Sequence, residues 1–129
     1  MVSTAKTVYT QEAPKPIGPY SQAVVAGNMV FCSGQIALDP MTGELVGRTA
    51  AEQTERAILN LKAVLIRAGS ELSHVVKVTL YLKSMKDFAE VNDVYSKHFV
   101  EMKPARSAVE VTELPKGALV EIEAIAEVG

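Results

Sequence analysis

Residues 49–69 constrain this chain more than any other stretch. Thr49 and Glu52 spell a T-x-x-E capping box, in which each residue satisfies a free amide at a helix start. Ala57, Ile58, Leu61, Val64, Leu65 and Ala68 then recur at helical spacing and form one apolar stripe. Gly69 supplies the stop. A helix with a single stripe has one face to bury and needs a second layer to bury it against.

The rest of the chain supplies that layer. Residues 75–83 alternate, with Val76, Val78, Leu80 and Leu82 pointing one way and Lys77, Thr79, Tyr81 and Lys83 the other, as in a half-buried strand. A second box, Ser84 and Asp87, opens a second helix with Phe88, Val91, Tyr95 and Phe99 on one face, and Lys103-Pro104 ends it. Residues 21–26 and 29–32 read as a hairpin about Gly27-Asn28, and residues 39–43 as a surface turn. Residues 108–112 form a strand, Pro115-Lys116-Gly117 a turn, and residues 119–128 the last strand. Its Val120, Ile122, Ala124 and Ala126 share one face; Glu121, Glu123, Glu127 and Ile125 share the other. The predicted order is β-β-α-β-α-β-β, an α+β fold with a mixed sheet and two helices on one face. The other face mixes Thr79 and Tyr81 with Ile125, and the reading favoured for it is a subunit interface.

Neither repeats nor low-complexity tracts divide the chain. The proline-rich loop at residues 13–19 is stiff and extended but lies too near the start to separate domains, so residues 1–129 read as one domain. That length and a hydrophobic content of 48% suit a globular protein with a proper core. Thirteen basic against fifteen acidic residues give a net charge of −2, which argues against nucleic acid or an acidic membrane as the main partner. With Cys32 as the single cysteine, an internal disulfide and a multi-cysteine metal site are both impossible. Residues 1–11 lack the apolar core of a signal peptide, and no apolar run reaches the length of a membrane span. The default location is the cytoplasm. An organelle such as the mitochondrion stays open, because residues 1–11 are poor in acid and hold Lys6.

Few residues suggest chemistry on their own. Arg106, between a helix end and a strand start, presents a planar fork suited to a carboxylate; the competing reading is a structural ion pair or a solvated loop arginine. Glu121 and Glu123, two apart on one strand face, could do acid–base work, although from the residues alone an exposed strand face is the better account, since alternating E-x-E strands are common. Ser33-Gly34-Gln35 offers a backbone that a ligand can approach closely, or a bulge. Tyr20 offers a ring to a ligand or to the core edge. Cys32, in an apolar run, reads as a small buried hydrophobe rather than a nucleophile. His74 and His98 are isolated, so no metal site is expected. Phosphate-loop, dinucleotide and α/β-hydrolase motifs do not occur.

Taken together, several segments resemble one family. Ala13-Pro14 with Ile17-Gly18-Pro19-Tyr20-Ser21-Gln22-Ala23 is similar to the N-terminal signature of the RidA/YjgF enamine/imine deaminases. Phe31-Cys32-Ser33-Gly34-Gln35-Ile36 looks like the family's S-G-Q-I segment. Val76-Lys77-Val78-Thr79 and Phe88-Ala89-Glu90-Val91-Asn92 match its middle. Pro104-Ala105-Arg106-Ser107 and residues 120–126 match its C-terminal signature, so the resemblance runs in order along nearly the whole chain.

The resemblance implies a chorismate-mutase-like fold and a homotrimer with a central β-barrel, outer helices and active sites between subunits. It implies cofactor-free hydrolysis of 2-aminoacrylate (2-iminopropanoate) and 2-iminobutanoate to 2-oxo acids and ammonia. Carried over, Arg106 binds the substrate carboxylate and Glu121 positions or activates water. Tyr20 lines the pocket, Ser33 and Gly34 border it with backbone amides offered to the carboxylate, and Asn92 lies near. Where many members have cysteine after the Arg-Ser pair, this chain has Ala108, whose backbone can still bond a ligand; thiol chemistry there is put in doubt. Two rival readings remain: a non-catalytic trimer that binds small 2-oxo acids or a partner protein, and a holdase chaperone or translation-linked nuclease.

Overall fold

The computed structural model describes residues 3–129. Residues 1 and 2, part of the stretch read for targeting, lie outside the described residues. Six strands form one sheet: β1 (Lys6–Val8), β2 (Ala23–Ala26), β3 (Met29–Gln35), β4 (Val75–Leu82), β5 (Ala105–Glu110) and β6 (Val120–Glu127). Two helices accompany them, α1 (Ala50–Arg67) and α2 (Phe88–His98). The sheet order is β1-β2-β3-β6-β4-β5. All pairings are antiparallel except β4 with β5, where α2 provides the crossover that a parallel pair requires.

The α1 box closes as the sequence predicts. The Thr49 hydroxyl accepts from the Glu52 amide at 3.1 Å, and Glu52 Oε1 accepts from the Thr49 amide at 3.2 Å. Ala57, Ile58, Leu61, Val64 and Leu65 are buried against β3, β6 and α2. At the hairpin, Gly27 takes a φ of +62° while Asn28 stays negative, so the two-residue turn is of the II′ kind that matches strand twist. The predicted turn at residues 39–43 forms around Asp39, whose Oδ1 accepts from the Met41 amide at 2.7 Å.

Three details depart from expectation. The short edge strand β1 precedes the predicted order; three residues, of which Val8 alone is buried, leave no alternation to read. On β4 the buried residue at the start is Val75, not Val76, because a bulge against β6 between Val75 and Lys77 reverses the phase of the first two residues. The second helix begins later than its box: Ser84 accepts from the Lys86 amide and caps a single 3-10 turn, and α2 ends at His98, ahead of Lys103-Pro104.

The sheet thus has two unlike faces. Val30, Cys32, Val78, Leu80, Leu82, Val120, Ile122, Ala124 and Ala126 are buried beneath the helices. Phe31, Ile125, Lys77, Thr79, Glu123, Tyr81 and Glu121 align across the other, unlayered face. No helix among the described residues is long and apolar enough to cross a membrane.

Candidate active site

Residues 13–20 would be a free loop without Gln22. That side chain is buried, its Oε1 accepts from the Thr10 amide at 2.7 Å, and its Nε2 donates to the carbonyls of Thr10 and Pro14, each at 3.0 Å. The prolines stiffen the segment, and Gln22 fixes it over the end of β3. Between loop and sheet lies a cleft of about 460 Å³, bordered by Tyr20, Ser33, Gly34 and Glu121. Tyr20 is 51% exposed and offers its ring at the rim.

Ser33 and Gly34 occupy an irregularity in the β3–β6 pairing, between Cys32 and Gln35. Ser33 works structurally: its hydroxyl donates to the Ser21 carbonyl at 2.6 Å, and its amide donates to the Gln22 carbonyl at 2.9 Å. The expectation that the Ser33 amide is offered to a substrate carboxylate is therefore corrected, because that donor already has a partner. Gly34 makes room for Glu121. A Cβ at position 34 would sit 2.6 Å from Glu121 Oε2 and 2.7 Å from its Cδ. Gly34→Ala is thus expected to displace the Glu121 carboxylate and, if Glu121 is catalytic, to lower turnover about 10-fold or more. A crystal structure of the variant, with its turnover rate, checks this; an unmoved carboxylate or a wild-type rate contradicts it.

Burial is the main cause that raises the Glu121 carboxyl above its ordinary pKa, and the neighbouring Glu123 adds to it. Glu123 is held by the Tyr81 hydroxyl, which donates to its Oε1. Tyr81 sits directly across from Glu121 in the sheet register. Its hydroxyl is pushed up to about 12, first by the bond to Glu123, so it remains a donor throughout the working range.

Arg106 lies elsewhere. It falls within β5 rather than in a loop, since the strand starts at Ala105 and not at residue 108. Its Nη1 donates to Asn92 Oδ1 on α2 at 2.8 Å. The guanidinium lies over the rings of Tyr95 and Phe88, 4.7 and 5.4 Å from their centroids. Nε and Nη2 have no partner among the described residues, leaving a fork edge for an anion. Arg106, Asn92 and Lys103 border a separate cleft of about 240 Å³. Ala108 lies two residues further along the same face of β5, half-buried against the core.

The two groups of residues do not meet within one chain. Arg106 is in register with Val78 and points to the helix side; Glu121 is in register with Tyr81 and points to the unlayered side. Three residues along β4 and two strand spacings separate them, about 10 Å in each direction. Tyr20, Ser33, Gly34 and Glu121 share one cleft, while Arg106 and Asn92 share another.

The remaining candidates keep bland roles. The Cys32 thiol is pushed up to about 12 by burial, which suits a small hydrophobe. His98 bonds Glu55 at 2.7 Å. Among the described residues, no three His, Cys, Asp or Glu side chains cluster as a metal site would. Gln22, Tyr81 and Phe88 are not among the site residues that the sequence suggests. For Gln22 a signal existed: a glutamine beside a loop of prolines, whose carbonyls have no strand to bond.

The molecule is thus an α+β protein with helices on one face of a mixed sheet, carrying an arginine fork and a half-buried carboxylate on opposite sides. The family model for Endoribonuclease L-PSP matches residues 10–128, and the chain belongs to that family, which includes the RidA, YjgF and RutC proteins. A RutC family protein of Pyrococcus abyssi is 58% identical over 121 residues, covering 94% of this chain and 95% of the relative. The structure of TdcF from E. coli with bound serine matches with a TM-score of 0.91 at 42% identity, covering 96% of this chain and 99% of that one. RidA from the Antarctic bacterium Psychrobacter sp. matches with a TM-score of 0.92 at 44% identity, covering 95% and 99%.

Proposed function

We propose that the protein is a hydrolytic deaminase of reactive enamine and imine acids, 2-aminoacrylate/2-iminopropanoate and 2-iminobutanoate, acting as a homotrimer whose sites form between subunits. The observation that carries this reading is the pairing of a free arginine fork with a desolvated carboxylate, set on opposite faces of one sheet. A second copy packed on the unlayered face brings one copy's Arg106 and Asn92 to the other's Tyr20–Glu121 cleft.

The chemistry asks little of the protein. The enamine tautomerises to the imine, whose carbon is electrophilic. Arg106 holds the carboxylate and so fixes that carbon against a bound water. Glu121, ionised, takes a proton from the water as it attacks. Because its pKa is raised, it returns the proton readily to the departing nitrogen. Ammonia leaves and a 2-oxo acid remains. No step requires a cofactor, and the cytoplasm, where amino-acid dehydratases generate such intermediates, is the proposed location.

The test generates 2-aminoacrylate in situ with a serine dehydratase and traps the residue with semicarbazide. Faster pyruvate formation than the spontaneous rate supports the deaminase. No acceleration by the folded protein favours the second reading, a non-catalytic binder of small acids, to which the serine held by TdcF lends support. The family model's description names an endoribonuclease, but a net charge of −2 gives this chain little attraction for RNA.

A further inference from the structure

The cleft that holds Glu121 contains a cation the proposed mechanism does not use. Lys15 borders it from the loop, exposed at the cleft rim, and makes no hydrogen bond or ion pair among the described residues. Its backbone is unusually fixed for a loop residue. Pro14 and Pro16 flank it, and Gln22 Nε2 bonds the Pro14 carbonyl at 3.0 Å. Lys15 is therefore a charge on a flexible stem, carried on a stiff support at the cleft rim.

The other charged residues bordering this cleft are Glu121 and Glu123. Glu123 is engaged by Tyr81. Glu121 stands apart in its burial against Gly34. An uncommitted ammonium bordering the same cleft has a use when the ligand brings a negative charge of its own to the far side of the reacting carbon. The α-carboxylate already has a holder in Arg106.

We propose that Lys15 is a specificity-determining residue that binds a second, distal carboxylate, so that the protein accepts dicarboxylic imine acids besides those with small neutral side chains. This inference rests on the deaminase reading and extends its substrate class. The reaction is otherwise unchanged: water adds across the C=N bond, ammonia leaves, and a 2-oxo dicarboxylic acid is the product. The ammonium offsets the repulsion that the two glutamates exert on a dianion, and forms a charge-assisted hydrogen bond with the distal carboxylate.

The experiment compares two imines made in situ by amino-acid oxidases, one from glutamate or aspartate and one from a neutral amino acid. Hydrolysis of each is followed by semicarbazide trapping, with the wild type, Lys15→Gln and Lys15→Arg. The expected result is hydrolysis of both imines by the wild type. In Lys15→Gln the ratio of kcat/KM for the dicarboxylic over the neutral imine falls by about 10-fold or more, chiefly through KM, and Lys15→Arg restores most of it. An unchanged ratio, or a wild type that hydrolyses only the neutral imine, overturns the inference and leaves the deaminase standing. A wild type that hydrolyses neither defeats the deaminase reading, and the inference falls with it.

Discussion

Replacing Arg106 by alanine is expected to reduce kcat/KM for 2-iminopropanoate by about 100-fold or more, a loss of roughly 3 kcal/mol of transition-state binding. The size follows from the geometry. The guanidinium is already oriented by Asn92 and by the faces of Tyr95 and Phe88, so its fork is in place before substrate arrives. Truncation removes both the charge and the positioning of the imine carbon. Lysine at 106 should recover little, because a single ammonium cannot bond Asn92 and grip a carboxylate with two parallel donors. Arg106 is exposed on an edge strand, so the variant should fold normally. Unfolding curves that coincide with the wild type, beside initial rates of pyruvate formation, separate lost chemistry from lost structure. Turnover close to wild type would end the assignment of Arg106 as the anchor.

Replacing Glu121 by glutamine is expected to lower kcat by about 100-fold, the usual scale of a positioned general base, with KM little altered. The pH dependence carries a sign that can be worked out. The carboxylate must be ionised to accept a proton, and burial and Glu123 raise its pKa. Activity in the wild type should therefore fall on the acid side with a midpoint displaced upward from that of an ordinary glutamate, and that limb should be missing from the residual activity of the glutamine variant. Stability should move the other way. A carboxyl whose pKa is raised by folding favours the folded state below its unfolded pKa and loses that advantage as pH rises through the folded value. Glutamine at 121 should then be at least as stable as glutamate at neutral pH. A full rate in the variant would point to ordered water assisted by the substrate itself.

How far the sequence reached differs between elements. The first helix was legible throughout, because Thr49, Glu52 and the stripe from Ala57 to Leu65 agree locally with what the tertiary structure needs. The strand at 75–82 was legible in kind but not in phase, because the bulge that buries Val75 in place of Val76 arises from its partner strand. The β5 strand was expected from residue 108 and starts at Ala105. That shift matters for function: in a loop Arg106 has no fixed direction, whereas in register with Val78 it must face the helices. The separation of the arginine from Glu121 was for the same reason invisible in the sequence, since it depends on strand order and register. Gly34 was noticed for close backbone approach, yet what approaches it is the Glu121 side chain of the same chain.

The central claim is that a working site takes Arg106 from one copy and Glu121 from another. The most direct measurement mixes the two inactive variants, Arg106→Ala and Glu121→Gln, under conditions in which subunits exchange, and follows pyruvate formation. The account predicts recovery of activity, approaching about one quarter of the wild-type rate for random mixing in a closed ring, since one combination in four pairs an intact arginine with an intact glutamate. Activity that stays at the level of the separate variants, in mixtures shown to contain hybrid assemblies, would contradict a site shared between copies.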